Sequence, residues 1–318
     1  MAQQLTTNHP QPTTNHPLRN GDKVAIISPA TVVKPEYVDG AAEFLRREGF
    51  VPVVMPHAKG PASGSFAASD ADRLADFTAA WSDPEVRAIL CARGGYGCNH
   101  LLPHISRSLL QSDPKWLIGF SDVSALHALL FNAGIQSIHG PMAKHLTEED
   151  PDHFTIRAMM RILREGPEVE YFAAPDPRNI RGEAEGILVG GNLAVLNGLA
   201  DTPYDILKDV DSTPLILFIE DISEAIYAVE RMLIRLLMGG KIQKLQGLVI
   251  GQFTEYRPDL NHPDMETMIS RLLQKWEVDI PVAFGFPTGH VADNVPLVEG
   301  ARTHLSVTDE ATILTQQR

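Results

Sequence analysis

Residues 23–56 read KVAIISPATVVKPEYVDGAAEFLRREGFVPVVMP, and this stretch decides the fold. VAIISP (24–29) is a short β-rich run; PEYVDGAAEFLRREGF (35–50) places apolar residues at helical spacing and stops at Gly49; VPVVMP (51–56) returns to strand character. The order predicts a β-α-β unit. Outward from it the alternation continues with a helix over 70–81, the strand AILCAR (88–93), a short helix near 98–106, the strand WLIGF (116–120), the helix SALHALLFNAG (124–134) and the strand QSIHG (136–140). Strands that alternate with helices are joined by crossovers, so they predict a parallel sheet covered on both faces.

After the amphipathic stretch HFTIRAMMRILREG (153–166), residues 167–182 turn to prolines and charges without a sustained period, which predicts a linker. The chain is thereby divided into a leader over 1–20, an N-terminal domain over 21–166, the linker over 167–182 and a C-terminal domain over 183–318. In the last, GILVGG (186–191), NLAVLNGLA (192–200), PLILFIE (214–220), SEAIYAVERMLIRLLMGG (223–240), LQGLVIGQF (245–253), a helix near 264–276, PVAFGF (281–286) and a tail of short strands predict a second, mixed α and β unit. The expected fold class is α/β in two domains.

A chain of 318 residues with 44% hydrophobic content can bury a full core and is long for one compact unit. Its formal net charge is −13 with Lys and Arg scattered singly, which argues against a groove tracking a phosphate backbone and so against nucleic acid as a partner. No apolar run approaches the roughly 18 residues of a membrane span, so no membrane partner is expected. The TTNHP repeated within the first 17 residues reads as a disordered leader, without the basic start and apolar middle of a secretory signal. Cys91 and Cys98 are too few for a disulfide framework and lack CxxC spacing, so a reducing cytoplasm is the expected location.

The chemistry concentrates at strand ends. In KWLIGFSDVSALHALLF (115–131) a strand runs straight into Gly119-Phe120-Ser121-Asp122 and then into a helix. Such a turn lies at the carboxyl end of a parallel strand, where ligands bind, and lifts a serine hydroxyl beside a helix N-terminus. It resembles a nucleophile elbow whose last glycine is replaced by Val123, and taken alone the residues favour Ser121 or Asp122 as a helix cap. Glu220 ends the apolar run PLILFIE, where a carboxylate is costly unless paired; it could hold a histidine in the right tautomer, whereas Asp221 and Ser223 have a ready role as caps of the next helix. Of the 12 histidines, His290 fits a partner's role best, carried out of a strand by PVAFGFPTGH. His127 lies inside a helical pattern, His9, His16, His57 and His153 lie in loops, His100 and His104 are separated by Pro103, and His139 is the reserve candidate. No HExxH or Cys/His pair at zinc spacing is present, so neither a metal nor another cofactor is expected. Ala92-Arg93-Gly94-Gly95-Tyr96-Gly97 follows the strand AILC; its glycines let backbone amides turn toward a phosphate or a developing oxyanion, but no GxxxxGK[ST] or GxGxxG accompanies them.

Taken together, GDKVAIISPA, DADRLADFTAAWSDPEVRAILCARGGYG, LIGFSD, HGPM, GILVGGNLAVL, LFIED, YAVERML, GLVIGQF and FGFPTGHVADNVPLVEG, in this order over nearly the whole chain, resemble the LD-carboxypeptidase (muramoyltetrapeptide carboxypeptidase) family of serine peptidases. The resemblance implies an N-terminal Rossmann-like, class I glutamine amidotransferase-like domain beside a second α/β domain, an active site between them, a homodimer and no metal. It maps the family's nucleophile, acid and base onto Ser121, Glu220 and His290, and its oxyanion-hole amides onto Gly95 and Asp122. The implied reaction releases D-Ala from the L-centre of diaminopimelate in murein tetrapeptides during cell-wall recycling. Arg93 and Gly94 are candidate substrate-binding residues; for Arg93, contact with the substrate carboxylate and a structural ion pair stand as equal alternatives. The chain departs from the family at Val298 and Glu299, inserted where many relatives run from Pro-Leu directly to Gly, which leaves the local loop shape open.

Two other readings remain. Hydrolases that inactivate microcin-type peptidyl nucleotides share the triad but tend to carry a GGxNSN loop where this chain has RGGYG (93–97). A non-catalytic two-domain binding protein would account for a cleft but not for three catalytic residue types at strand ends.

Overall fold

The computed structural model describes residues 15–317. The first half of the chain supplies β1 (Lys23–Ile27), α1 (Pro35–Arg47), β2 (Val51–Val54), α2 (Asp70–Ser82), β3 (Val86–Cys91), α3 (Arg107–Ser112), β4 (Trp116–Gly119), α4 (Ser124–Ala133), β5 (Ser137–His139), α5 (Ala143–Glu148) and α6 (Phe154–Glu165). The second half supplies β6 (Val169–Ala173), β7 (Gly182–Asn192), α7 (Leu193–Leu199), β8 (Leu215–Ile222), α8 (Ile226–Met238), β9 (Gly247–Thr254), α9 (Met265–Lys275), β10 (Val282–Ala283), β11 (Leu297–Glu299), β12 (Arg302–Val307) and β13 (Thr312–Gln317).

Among the described residues these strands form two sheets, ordered β11-β5-β4-β3-β1-β2 and β10-β9-β8-β7-β12-β13-β6. In the first, β1 to β5 are parallel in the order 2-1-3-4-5, a doubly wound arrangement in which the direction of strand addition reverses between β1 and β3. The second is parallel from β7 through β10 and antiparallel from β7 through β12 and β13 to β6. The central strands carry continuous buried runs, Val24–Ile27 in β1 and Leu215–Asp221 in β8, as sheets covered on both faces require. Buried side chains from α4, α7, β7, β8 and α8 share one apolar cluster, so the core is continuous across the two sheets.

Three expectations need correction. The presumed linker contains β6, whose side chains alternate in burial and which pairs with β13; a five-residue period of two is easily hidden among prolines and charges. The leader is ordered in part, because Asn15 and Leu18 are buried, Asn15 donates to the Gln136 carbonyl at 2.8 Å and the Leu18 amide to the Leu163 carbonyl at 2.7 Å. Residues 1–14, including His9 and most of the TTNHP repeat, lie outside the described residues. Finally, Val298 and Glu299 belong to a strand rather than a loop: β11 returns from the second half of the chain to close the first sheet antiparallel to β5. Glu299 is fully buried, its Oε2 accepts from the Gly190 amide at 3.4 Å, and burial holds its carboxyl well above the ordinary glutamate range.

No helix among the described residues is long and apolar enough to cross a membrane.

Candidate active site

The fold brings the carboxyl ends of parallel strands from both sheets toward each other, the start of α4 after β4 meeting the end of β7, and the elements that follow those ends build the site. Strand β4 ends at Gly119, and Ser121 opens a single 3₁₀ turn before α4. Its φ is 66°, a left-handed conformation that a residue with a side chain adopts only at a cost. The capping alternative does not describe this turn: the helical segments starting at Ser121 and Ser124 have no side-chain cap, and Asp122 Oδ2 instead accepts from the Cys98 amide at 2.7 Å. Burial outweighs that hydrogen bond and raises the Asp122 carboxyl above its ordinary value.

The glycine loop after β3 packs directly on this turn. A Cβ on Gly94 would stand 2.8 Å from Ser121 Cβ and 3.1 Å from its Oγ, so only glycine admits the serine at this position. Gly95, at φ 105°, is pinned against Thr31, which accepts from the Tyr96 amide at 2.9 Å. Gly95, Ser121 and Asp122 line one cavity of about 350 Å³, together with Tyr96 and Asn99 from the segment after β3 and Asn192, Val195, Asp221 and Glu224 from the second half of the chain. Arg93 does not line it; its guanidinium donates to the Val32 carbonyl at 2.8 Å.

Glu220 lies within β8 rather than at its end. The β8–β9 register shifts between Ile219 and Asp221, and a shift of this kind re-aims the side chain it carries. The carboxylate has no solvent exposure, and its Oε2 lies 2.6 Å from His290 Nδ1. His290 arrives after β10 through Pro287-Thr288-Gly289, where the Gly289 amide donates to Asn294 Oδ1 at 2.8 Å. A Cβ on Gly289 would meet Glu220 Oε2 at 3.0 Å, so this glycine allows the close approach. With Nδ1 engaged by the carboxylate, Nε2 is the ring nitrogen that the pair leaves uncommitted. The His290 ring packs edge-on against Phe120, with centroids 4.9 Å apart, beside Ser121 in sequence. Among the described residues no hydrogen bond joins the Ser121 hydroxyl to His290.

Several other residues of the site take places that the sequence did not give them. Asp221 caps α7, not α8: it accepts from the Ala194 amide and from Asn192 Nδ2, both at 2.9 Å, and burial pushes its carboxyl up to about 6. Ser124 accepts from the Asn192 amide at 3.0 Å, which ties the start of α4 to the end of β7 across the site. Phe120 is ringed by His290, His145 and His139. His139, the reserve candidate, is buried with neither ring nitrogen hydrogen-bonded, and desolvation holds it neutral. No signal in the sequence marked Phe120 or His145, whose roles depend on which rings meet in space. No group of three or more metal-capable side chains occurs among the described residues.

Comparison with known proteins agrees on a single family. Residues 24–140 match the model of the LD-carboxypeptidase N-terminal domain, and residues 185–305 match that of the LD-carboxypeptidase C-terminal domain. A probable murein peptide carboxypeptidase of Bacillus subtilis is 32% identical over 93% of this chain and 92% of its own. The crystal structure of a muramoyltetrapeptide carboxypeptidase from Oxalobacter formigenes superposes with a TM-score of 0.84 at 31% identity, covering 93% of this chain and 99% of the other. The microcin C7 self-immunity protein of Escherichia coli is also similar, at 24% identity over 95% of each chain.

Proposed function

The chain belongs to the LD-carboxypeptidase family, and we propose that it removes the terminal D-amino acid from murein tetrapeptides by cleaving the L-to-D peptide bond with Ser121, His290 and Glu220. The observation that carries this reading is the 2.6 Å contact between His290 and the buried Glu220, set against Phe120 next to a serine held at positive φ.

In the proposed reaction the Ser121 hydroxyl attacks the carbonyl carbon of the scissile bond as His290 Nε2 takes its proton. Glu220 keeps the proton on Nδ1 and stabilises the imidazolium. The carbonyl oxygen becomes an oxyanion that accepts from the Gly95 and Asp122 amides, each contributing about 2.7–4 kcal/mol. Collapse breaks the C–N bond, and His290 returns the proton to the departing amine of the D-amino acid. Water activated by the same imidazole then hydrolyses the acyl-serine and regenerates the hydroxyl. The path requires Ser121 and His290 to come within proton-transfer reach when substrate is bound, a contraction common between free and substrate-bound enzymes.

The test is mass-spectrometric conversion of a murein tetrapeptide to the tripeptide, with an all-L peptide as control and Ser121→Ala as the inactive reference. Cleavage by Ser121→Ala at the wild-type rate would end the mechanism. A microcin-type amide hydrolase is less well supported, because the loop reads RGGYG (93–97) and identity to the self-immunity protein is 24% against 32% to the murein relative. A purely binding role leaves the buried Glu220–His290 pair without a purpose. Cytoplasmic residence and a homodimer are part of the same proposal; two unpaired buried thiols, Cys91 and Cys98, support a reducing compartment, and light scattering checks the dimer.

A further inference from the structure

The Arg73 side chain, carried by α2, has no solvent exposure, while its ion-pair partner Asp70 is half exposed. Its Nε has no hydrogen-bond partner among the described residues. A sealed guanidinium so sparsely paired contributes little to stability, because desolvation offsets what the pair gains. What Arg73 engages is main chain. Nη1 donates to the Pro29 carbonyl, in the segment after β1, and at 3.0 Å to the Gly97 carbonyl, at the end of the glycine loop after β3. The Phe66 ring packs against the guanidinium at 4.7 Å, and Gly97, at φ 126°, has no room for a side chain there, since a Cβ would meet Arg73 Nη1 at 2.8 Å.

The loop held in this way meets the serine turn at both of its ends. At the start, Gly94 packs on Ser121, and its carbonyl accepts from the Thr31 amide at 3.3 Å. At the finish, Cys98 follows Gly97 and donates its amide to Asp122 Oδ2 at 2.7 Å. We infer that Arg73 is a positioning residue: by tying Gly97 to Pro29 it sets where Gly95 and Asp122 stand relative to Ser121. The inference rests on the proposed peptidase reading and deepens it by naming the group that holds the two oxyanion donors in place. Arginine suits the task because its terminal nitrogen presents two N–H groups in a rigid plane, one for each loop, which a lysine on its flexible stem reproduces only in part. The Gly97 carbonyl also accepts from the His100 amide at 3.2 Å, so loss of the guanidinium leaves that end of the loop bonded locally but cut off from β1. The buried Pro29 carbonyl then lacks this donor and gains by turning toward water, which loosens the segment that carries Thr31.

The experiment compares the wild type, Arg73→Lys and Arg73→Met, with folding checked by circular dichroism. It measures kcat for a murein tetrapeptide, the dissociation constant of the tripeptide product and the rate at which a fluorophosphonate labels Ser121. Displaced donors act only where negative charge develops, so Arg73→Met is expected to lower kcat and the labelling rate together by about 10²-fold, with tripeptide binding within about twofold of the wild type. Arg73→Lys keeps the cation and one carbonyl contact and is expected to recover about tenfold of that loss. Values of kcat and labelling within about twofold of the wild type in both variants overturn the assignment and leave the peptidase reading intact. A weakening of tripeptide binding as large as the fall in kcat also overturns it, as does loss of the native fold in both variants, because Arg73 then supports the structure at large rather than the donors. A wild type that is labelled at Ser121 yet leaves the tetrapeptide whole overturns the peptidase reading, while the labelling rates still decide the role of Arg73.

Discussion

His290 Nδ1 lies 2.6 Å from Glu220 Oε2, although the two residues are 70 positions apart and the carboxylate is sealed from solvent. A buried carboxylate with one partner and a second oxygen unpaired is a poor stabilising device, since a well-packed apolar pair would serve as well. In the proposed mechanism its value lies in fixing the tautomer and orientation of the imidazole.

Glu220→Gln therefore keeps the shape and removes the charge. The amide also presents a donor where an acceptor is needed, so the ring is held in the wrong tautomer. The expected result is a loss of about 10³–10⁴-fold in kcat with little change in KM, read from steady-state cleavage of the tetrapeptide. A loss below tenfold would show that Glu220 does not orient the base.

Ser121 at φ 66° predicts a separation of stability from activity. Ser121→Ala and Ser121→Gly both remove the hydroxyl, and both should abolish turnover and labelling by a fluorophosphonate. Only glycine relieves the left-handed backbone, so Ser121→Gly should be more stable than Ser121→Ala by about 1 kcal/mol in urea titrations. Equal stabilities would mean that the turn is relaxed in solution.

Gly94→Ala tests the loop that packs against Ser121, the proposed nucleophile. The new methyl would stand 2.8 Å from Ser121 Cβ and 3.0 Å from the Phe120 carbonyl oxygen, too close unless one of them moves. Displacing the serine by a fraction of an ångström should lower kcat by about 10²-fold while the protein remains folded by circular dichroism. Wild-type kcat would show that the turn adapts freely.

The buried histidines set an acid limit to stability. Burial lowers His127 from 6.5 to about 4, and it stays neutral between the Ser137 hydroxyl and the Gly119 carbonyl; His145 is likewise lowered to about 4 by burial. Because the folded values lie below the unfolded one, this stability is complete above pH ~6.5 and is lost as pH falls toward about 4. For His127 the loss amounts to ~3 kcal/mol. Asp221, raised to about 6, acts in the opposite sense: its contribution is present below its unfolded value of 3.8 and is lost as pH rises through about 6. Urea midpoints should fall between pH 7 and 5, with a smaller fall in His127→Gln. An acid-induced fall as large in His127→Gln as in the wild type would contradict the neutral His127.

The sequence alone carried most of the architecture. A period of two alternating with a period of 3.6 identified β1, α1, β2 and their successors, and the covered parallel sheets followed from that alternation, because local propensity and patterning are properties of short windows. Ser121, Glu220 and His290 could be picked out as chemical residues next to apolar strands, and the order of motifs identified the family. Tertiary structure decided what no window contains. The return of β11 to the first sheet, the capping of α7 by Asp221 and the three histidine rings around Phe120 each join residues distant in the chain. Such partners are chosen by packing, which selects among many compatible pairings only when the whole chain is folded, and the cost of leaving a buried polar group alone then determines which of them persist.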